Sequence, residues 1–335
     1  MCNLFQIAER FQQRQKHIEK VCKENVISGP GVSRDNHIKQ FVFGRLLYCR
    51  IHKVGSTFVG EIHKDTRKWQ RENHVILGKT LPKSSISFAV LRDPYSRLVS
   101  GYVDKVLTFP SYYPTWGHTF MKLAGLLGPH SKWTDRCSIF MTFPQFIKYF
   151  IESERQFKHR ESHFLPMHNQ CDFCGGNYTF VGHIETIKED MSYILKSLNI
   201  TMDILPTKFH FQDKVKRMLV NERAYVEQCA DMFTGLKTLW FTFHARGAIA
   251  DWVHFPLTRD QCETITVDEF MEVVKDAQNK SKGKFDPSLQ KRDTLVRMYR
   301  QVPLEDRIAV REVLKFDFLL SQSDPQPADI FPELS

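Results

Sequence analysis

The sequence predicts an α/β chain with a central, mainly parallel sheet flanked by helices, because apolar strands alternate with helical stretches. Two strand-to-helix passages carry that reading. Leu46-Leu-Tyr-Cys-Arg-Ile51 has the length and apolarity of a buried strand, and a helical pattern follows from Phe58 to about Gln70. Ser85-Ile-Ser-Phe-Ala-Val-Leu91 is a second strand. Asp93 and Pro94 then supply a cap and a first-turn residue for a helix carrying Leu98, Tyr102 and Val106 on one side.

The remaining elements follow in order. Residues 4–24 are polar and helix-prone without a strong apolar stripe, and read as a stem or lead-in helix; Ser28-Gly-Pro-Gly31 breaks the chain after it. Residues 108–137, rich in proline and glycine, read as an irregular excursion near a site. A helix begins at Phe143-Pro-Gln-Phe-Ile-Lys-Tyr-Phe150. Tyr178-Thr-Phe-Val-Gly182 is a short strand, and a helix runs through Asp190-Met-Ser-Tyr-Ile-Leu195. Residues 208–250 are mostly helical in pattern, 260–290 read as a polar, Lys-rich connection, and a last strong helix covers about Leu304 to Leu320. The expected organisation is a stem over 1–40, one domain over 41–322 and a tail over 323–335.

The 335 residues can bury a sizeable core, and the net charge of +9 favours encounters with anionic partners without choosing among them. No recognisable nucleic-acid module is present, so nucleic acid is not an expected partner. The sequence contains neither a run of about 18 apolar residues nor a secretory pattern at its start. Eight cysteines permit disulfides, and Asn-x-Ser/Thr acceptors at Asn177, Asn199 and Asn279 add mild support for a lumenal history.

Chemistry concentrates in the two turns. In Lys53-Val-Gly-Ser-Thr57 a glycine allows backbone N–H groups to approach an anion, Ser56 and Thr57 add hydroxyls at a helix mouth, and Lys53 adds a full charge. Gly78-Lys79-Thr80 is not a Walker A loop, since Asn73 occupies the required glycine position and Pro82 would break the helix. In the second turn Arg92 can grip a phosphate bidentately and Ser100, eight residues on, can add a hydroxyl. Arg97 either joins them or simply pairs with Asp93 four residues earlier.

Together the segments resemble the sulfotransferases that use 3′-phosphoadenosine-5′-phosphosulfate. More narrowly, Arg92-Asp-Pro-Tyr-Ser-Arg-Leu-Val-Ser-Gly-Tyr102 is similar to the Golgi carbohydrate sulfotransferases of the chondroitin/dermatan 4-sulfotransferase type. His163-Phe-Leu-Pro166 with Cys171 and Cys174, Tyr178-Thr-Phe-Val-Gly-His-Ile-Glu185 with Asp190, and Phe316-Asp-Phe318 extend the resemblance, while 200–290 match poorly. The resemblance implies a P-loop-NTPase-like sulfotransferase fold. It implies that Lys53, Val54, Gly55, Ser56, Thr57 and Phe58 hold the 5′-phosphosulfate, and that Arg92 and Ser100 hold the 3′-phosphate. It also implies an acidic or galactosamine-containing glycan acceptor, no metal, and a Golgi-lumenal setting reached through an N-terminal anchor that these residues do not include. The chain departs from the family at His52, where proline is usual, at Ser56 and Phe58, and at Phe164, where tryptophan is usual. Those departures leave a second expectation: a catalytically inactive relative that binds acidic glycans.

Transfer to a sugar hydroxyl needs a base titrating near neutral pH. His163 is the first choice, His52 the runner-up and Glu185 the third. His163, His168, Cys171 and Cys174 have unusual spacing for zinc, and disulfides suit a lumenal enzyme better; the pairing stays open. Phe109, Tyr112, Tyr113, Trp116 and Phe120 either stack on sugar or adenine or pack into a core, the more common fate.

Overall fold

A computed structural model describes residues 4–25, 38–41, 46–72, 86–108, 119–126, 141–200, 202 and 211–334. The chain divides into two compact units, Met1–Arg97 with Glu161–Lys208 and Leu314–Pro325, and Leu98–Arg160 with Phe209–Val313 and Gln326–Ser335. Ser28–Gly31, Gly78-Lys79-Thr80, Phe109, Tyr112, Tyr113 and Trp116 lie outside the described residues.

The first unit holds the sheet. Strands β1 (Ile38–Phe41), β2 (Leu46–Cys49), β3 (Ile86–Leu91) and β4 (Phe180–His183) lie in that order. β2, β3 and β4 are parallel, with Leu46 opposite Ile86 and Phe88 opposite Phe180, and β1 runs antiparallel along the edge. The expected α/β architecture is therefore present. Helix Ser56–Glu72 follows β2, helix Pro94–Gly101 follows β3, and helix Ile187–Ser197 follows β4. Asp93 caps the second of these by accepting from the Ser96 amide at 2.7 Å. The loops after all three parallel strands leave from their carboxyl ends, the edge where open α/β sheets bind ligands.

Helix Leu4–Glu24 does carry an apolar stripe: Ile7, Phe11, Ile18 and Val21 are buried in the core with Leu46, Phe88, Val90 and Val181. Arg14 interrupts that stripe and explains why it is inconspicuous in sequence. The guanidinium is buried because Asp190 meets it at 2.8 Å, with Arg10 on the other carboxylate oxygen at 2.6 Å. Gly182 leaves room for that carboxylate, since a Cβ there would stand 3.1 Å from Asp190 Oδ2. Two disulfides, Cys22–Cys174 and Cys49–Cys171, complete the unit.

The second unit is helical. Its core gathers Met218, Leu236, Trp240, Phe243, Phe270 and Val274. Residues 260–290 are not a connection: helices Arg259–Thr264 and Val267–Ser281 each open with a capping box, and Phe270, Val274 and Ala277 bury one face at helical spacing. The polar, Lys-rich remainder is their solvent side. The expected helix over Leu304–Leu320 is broken at Leu314 into Leu304–Val313 and Lys315–Ser321. Phe120 is fully buried and stacks on Tyr149 with centroids 3.7 Å apart, which is the packing fate and not an exposed platform. Among the described residues no helix is long and apolar enough to cross a membrane.

Candidate functional site

The turn after β2 is bent at two residues, Lys53 at φ 68° and Gly55 at φ 90°, with Val54 between them fully buried as an anchor. Gly55 is favoured by its backbone first and by its surroundings second. Its backbone is left-handed, and a Cβ would lie 2.7 Å from the terminal methyls of Ile184 and Ile187 after β4. Two arginines take the turn's carbonyls: Arg97 Nε donates to His52 O at 2.9 Å and Arg92 Nη1 donates to Lys53 O at 2.8 Å. Because a trans peptide opposes its C=O and N–H, the amides of Lys53 and Val54 point away from those guanidinia. Ser56 and Thr57 open the 17-residue helix Ser56–Glu72, whose first amides lack intrahelical acceptors; Phe58 packs against the core. A turn of this build can present donors to an anion. Ser100 is half-buried on helix Pro94–Gly101, within the residues counted with the second unit.

The segment 161–171 brings His163 to this turn. Its ring centroid lies 4.1 Å from that of His52. Buried Glu161 accepts from the His163 amide at 2.7 Å, contacts His163 Nδ1 at 2.7 Å and accepts from Ser162 Oγ at 3.2 Å. Glu161 on Nδ1 orients the ring and leaves Nε2 on its opposite side. Burial, reinforced by the charges of His163, Arg50 and Lys53 against that of Glu161, pushes the His52 imidazole down to about 3. Such a ring is neutral at physiological pH. Glu185 is exposed at the turn Ile184–Thr186.

Sequence reasoning missed the groups that hold this segment in place. Gln170, buried, accepts from the His52 amide at 3.3 Å and donates to Leu165 O at 2.8 Å. Asp317 accepts from the Met167 amide at 2.6 Å and the His168 amide at 3.0 Å, and contacts His168 Nδ1 at 2.8 Å. Burial pushes the Asp317 carboxyl up, but the hydrogen bond and charge of His168, with Arg97 and the Met167 amide, hold it below its ordinary value. The signals were present: Glu161 stands two residues before His163, and Asp317 lies in Phe316-Asp-Phe318. The two halves of Cys171-x-x-Cys174 bond to Cys49 and Cys22, so neither thiol is a zinc ligand. Among the described residues no group of three or more histidine, cysteine or carboxylate side chains is arranged to hold a metal.

Residues 37–229 match the profile described as the Sulfotransferase family. The chain is 26% identical over 201 residues to carbohydrate sulfotransferase 10 of Danio rerio, covering 49% of this chain and 54% of the relative. It is 26% identical over 172 residues to carbohydrate sulfotransferase 14 of Mus musculus, covering 45% and 44%. Against carbohydrate sulfotransferase 10 of Mus musculus it is 25% identical over 226 residues, covering 57% and 62%. The chain thus spans about half the length of the curated relatives it matches. No solved structure matches it. The resemblance carried by the two turns agrees with a profile that covers more than half of the sequence: the chain belongs to the Sulfotransferase family.

Proposed function

We propose that this chain transfers sulfate from 3′-phosphoadenosine-5′-phosphosulfate to a sugar hydroxyl of a glycosaminoglycan-like or glycoprotein glycan. The observation that carries the proposal is the placement of His163, buttressed by Glu161, against the residue that precedes Lys53. The acceptor oxygen attacks sulfur as the bond from sulfur to the bridging phosphate oxygen breaks, and adenosine 3′,5′-bisphosphate departs. His163 Nε2 takes the hydroxyl proton, and Glu161 holds the ring's tautomer and steadies the imidazolium that forms. The Lys53 ammonium and the amides of Lys53 to Phe58 stabilise charge gathering on the leaving phosphate. Arg92 and Ser100 hold the 3′-phosphate.

The remaining readings belong to the same proposal. The enzyme works in the Golgi lumen, on an acidic or galactosamine-containing acceptor attracted by the +9 charge. Two disulfides fit that oxidising compartment, and Asn177 and Asn199 stand exposed in left-handed turns open to glycosylation. The test is labelled donor offered with a panel of desulfated glycans, with adenosine 3′,5′-bisphosphate binding measured alongside. Sulfated product supports the reading. Tight nucleotide binding with no transfer to any glycan makes the chain a glycan-holding relative without turnover.

A further inference from the structure

The His52 peptide is held at both ends by side chains from elsewhere in the chain. Gln170 takes its N–H and Arg97 takes its C=O. Each of those side chains also holds the segment that carries His163. Arg97 Nη2 donates to His163 O at 3.5 Å, and Gln170 donates to Leu165 O at 2.8 Å. Arg97 is 1% exposed and Gln170 likewise 1%, so neither is a surface contact. A buried guanidinium is costly unless its donors are used, and here they span two backbone segments. A lysine in its place offers a compact ammonium on a flexible stem, without the rigid planar fork whose separate nitrogens meet the two carbonyls here.

The geometry points to Arg97, seconded by Gln170, as a positioning residue that sets the register between the base and the donor loop. It touches no reacting atom. The inference rests on the roles given above to Lys53 and His163. Its distinctive consequence is a split between turnover and binding. The donor loop keeps its own supports, Arg92 on Lys53 O and the Val59 amide on Gly55 O at 3.0 Å, when Arg97 is replaced.

The experiment compares wild type, Arg97→Gln, Arg97→Lys, Arg97→Ala, Gln170→Met and His163→Ala for kcat and for affinity toward adenosine 3′,5′-bisphosphate. Arg97→Gln and Arg97→Lys should lose about 100-fold in kcat, the size of a misplacement near an ångström. Nucleotide affinity should stay within about tenfold. Millimolar methylguanidinium should restore part of the activity of Arg97→Ala and none to His163→Ala. Wild-type turnover in Arg97→Gln would overturn the inference, as would parallel loss of turnover and nucleotide binding without rescue. Should the Arg97 variants fail to fold, Gln170→Met is read by the same split, and unchanged turnover in it is contrary. If wild type sulfates no acceptor, the sulfotransferase reading fails by itself. The clamp is then read from the His52 and His163 ring resonances, which must move in Arg97→Gln and Gln170→Met; fixed resonances refute it.

Discussion

Gly55 stands at φ 90° with two isoleucine methyls 2.7 Å from where a Cβ would sit, so a side chain there is opposed by backbone and packing together. The methyls can swing aside; the backbone cannot. Gly55→Ala should therefore cost about 1–2 kcal/mol from the left-handed backbone and weaken nucleotide binding with it. A melting curve and a binding isotherm both equal to wild type would contradict that. His52 and His183 make a pH prediction. Burial comes first for both in lowering the imidazole, to about 3 and about 4. The folded values lie below the ordinary unfolded value near 6.5, so the unfolded chain binds more protons between them. Stability should be full above about pH 6.5 and decline as pH falls toward 4 and then 3, with Asp317 adding to the loss at the acid end. Melting temperatures held constant from pH 7.5 to 4 would refute this. Lys53, Gly55 and His163 were legible in sequence because they stand in short local motifs. Gln170 was not, and the sequence leaves Arg97 between a phosphate and Asp93, because the His52 peptide they hold lies more than forty residues away; Glu161 stands beside His163 in sequence, but its burial is not a local property.

At the scale of elements, the strands and their following helices were legible because each is a local apolar run bounded by turn chemistry. Helix Leu4–Glu24 was seen as a helix but not as core, since its buried face includes Arg14. The reason is the Asp190 knot, where two arginines, Thr186 Oγ1 at 2.7 Å and the His183 amide at 3.3 Å converge on one buried carboxylate. Asp190→Ala would strand the buried Arg14 without that partner and should cost about 3–5 kcal/mol. Denaturant unfolding measures it, and a loss below about 1 kcal/mol would mean the helix is held by its apolar stripe alone. Residues 260–290 were misread for the opposite reason. Their exposed lysines dominate the composition, whereas Phe270, Val274 and Ala277 form a narrow stripe of one residue per turn.

For the whole molecule, family and fold were readable from the two turns and the order of the motifs after them, and the family profile over residues 37–229 agrees with that reading. The disulfide map was not, because connectivity is a property of the folded path. Cys22–Cys174 and Cys49–Cys171 close spans of 152 and 122 residues. Losing either should cost about 2–5 kcal/mol, seen as a lower melting temperature in dithiothreitol or in Cys171→Ser; no shift would contradict a structural role. Cys49–Cys171 also joins the strand that feeds Lys53 to the segment that carries His163. The central claim is that these two residues serve one reaction, with separable parts: binding of the donor and removal of the acceptor proton. The most direct measurement is transfer of labelled sulfate to a desulfated glycan by wild type, Lys53→Ala and His163→Ala, with nucleotide affinity taken on the same samples. The account predicts that wild type transfers, that His163→Ala binds nucleotide but loses at least about 100-fold in turnover, and that Lys53→Ala loses turnover and weakens nucleotide binding. Undiminished transfer by either variant would contradict it.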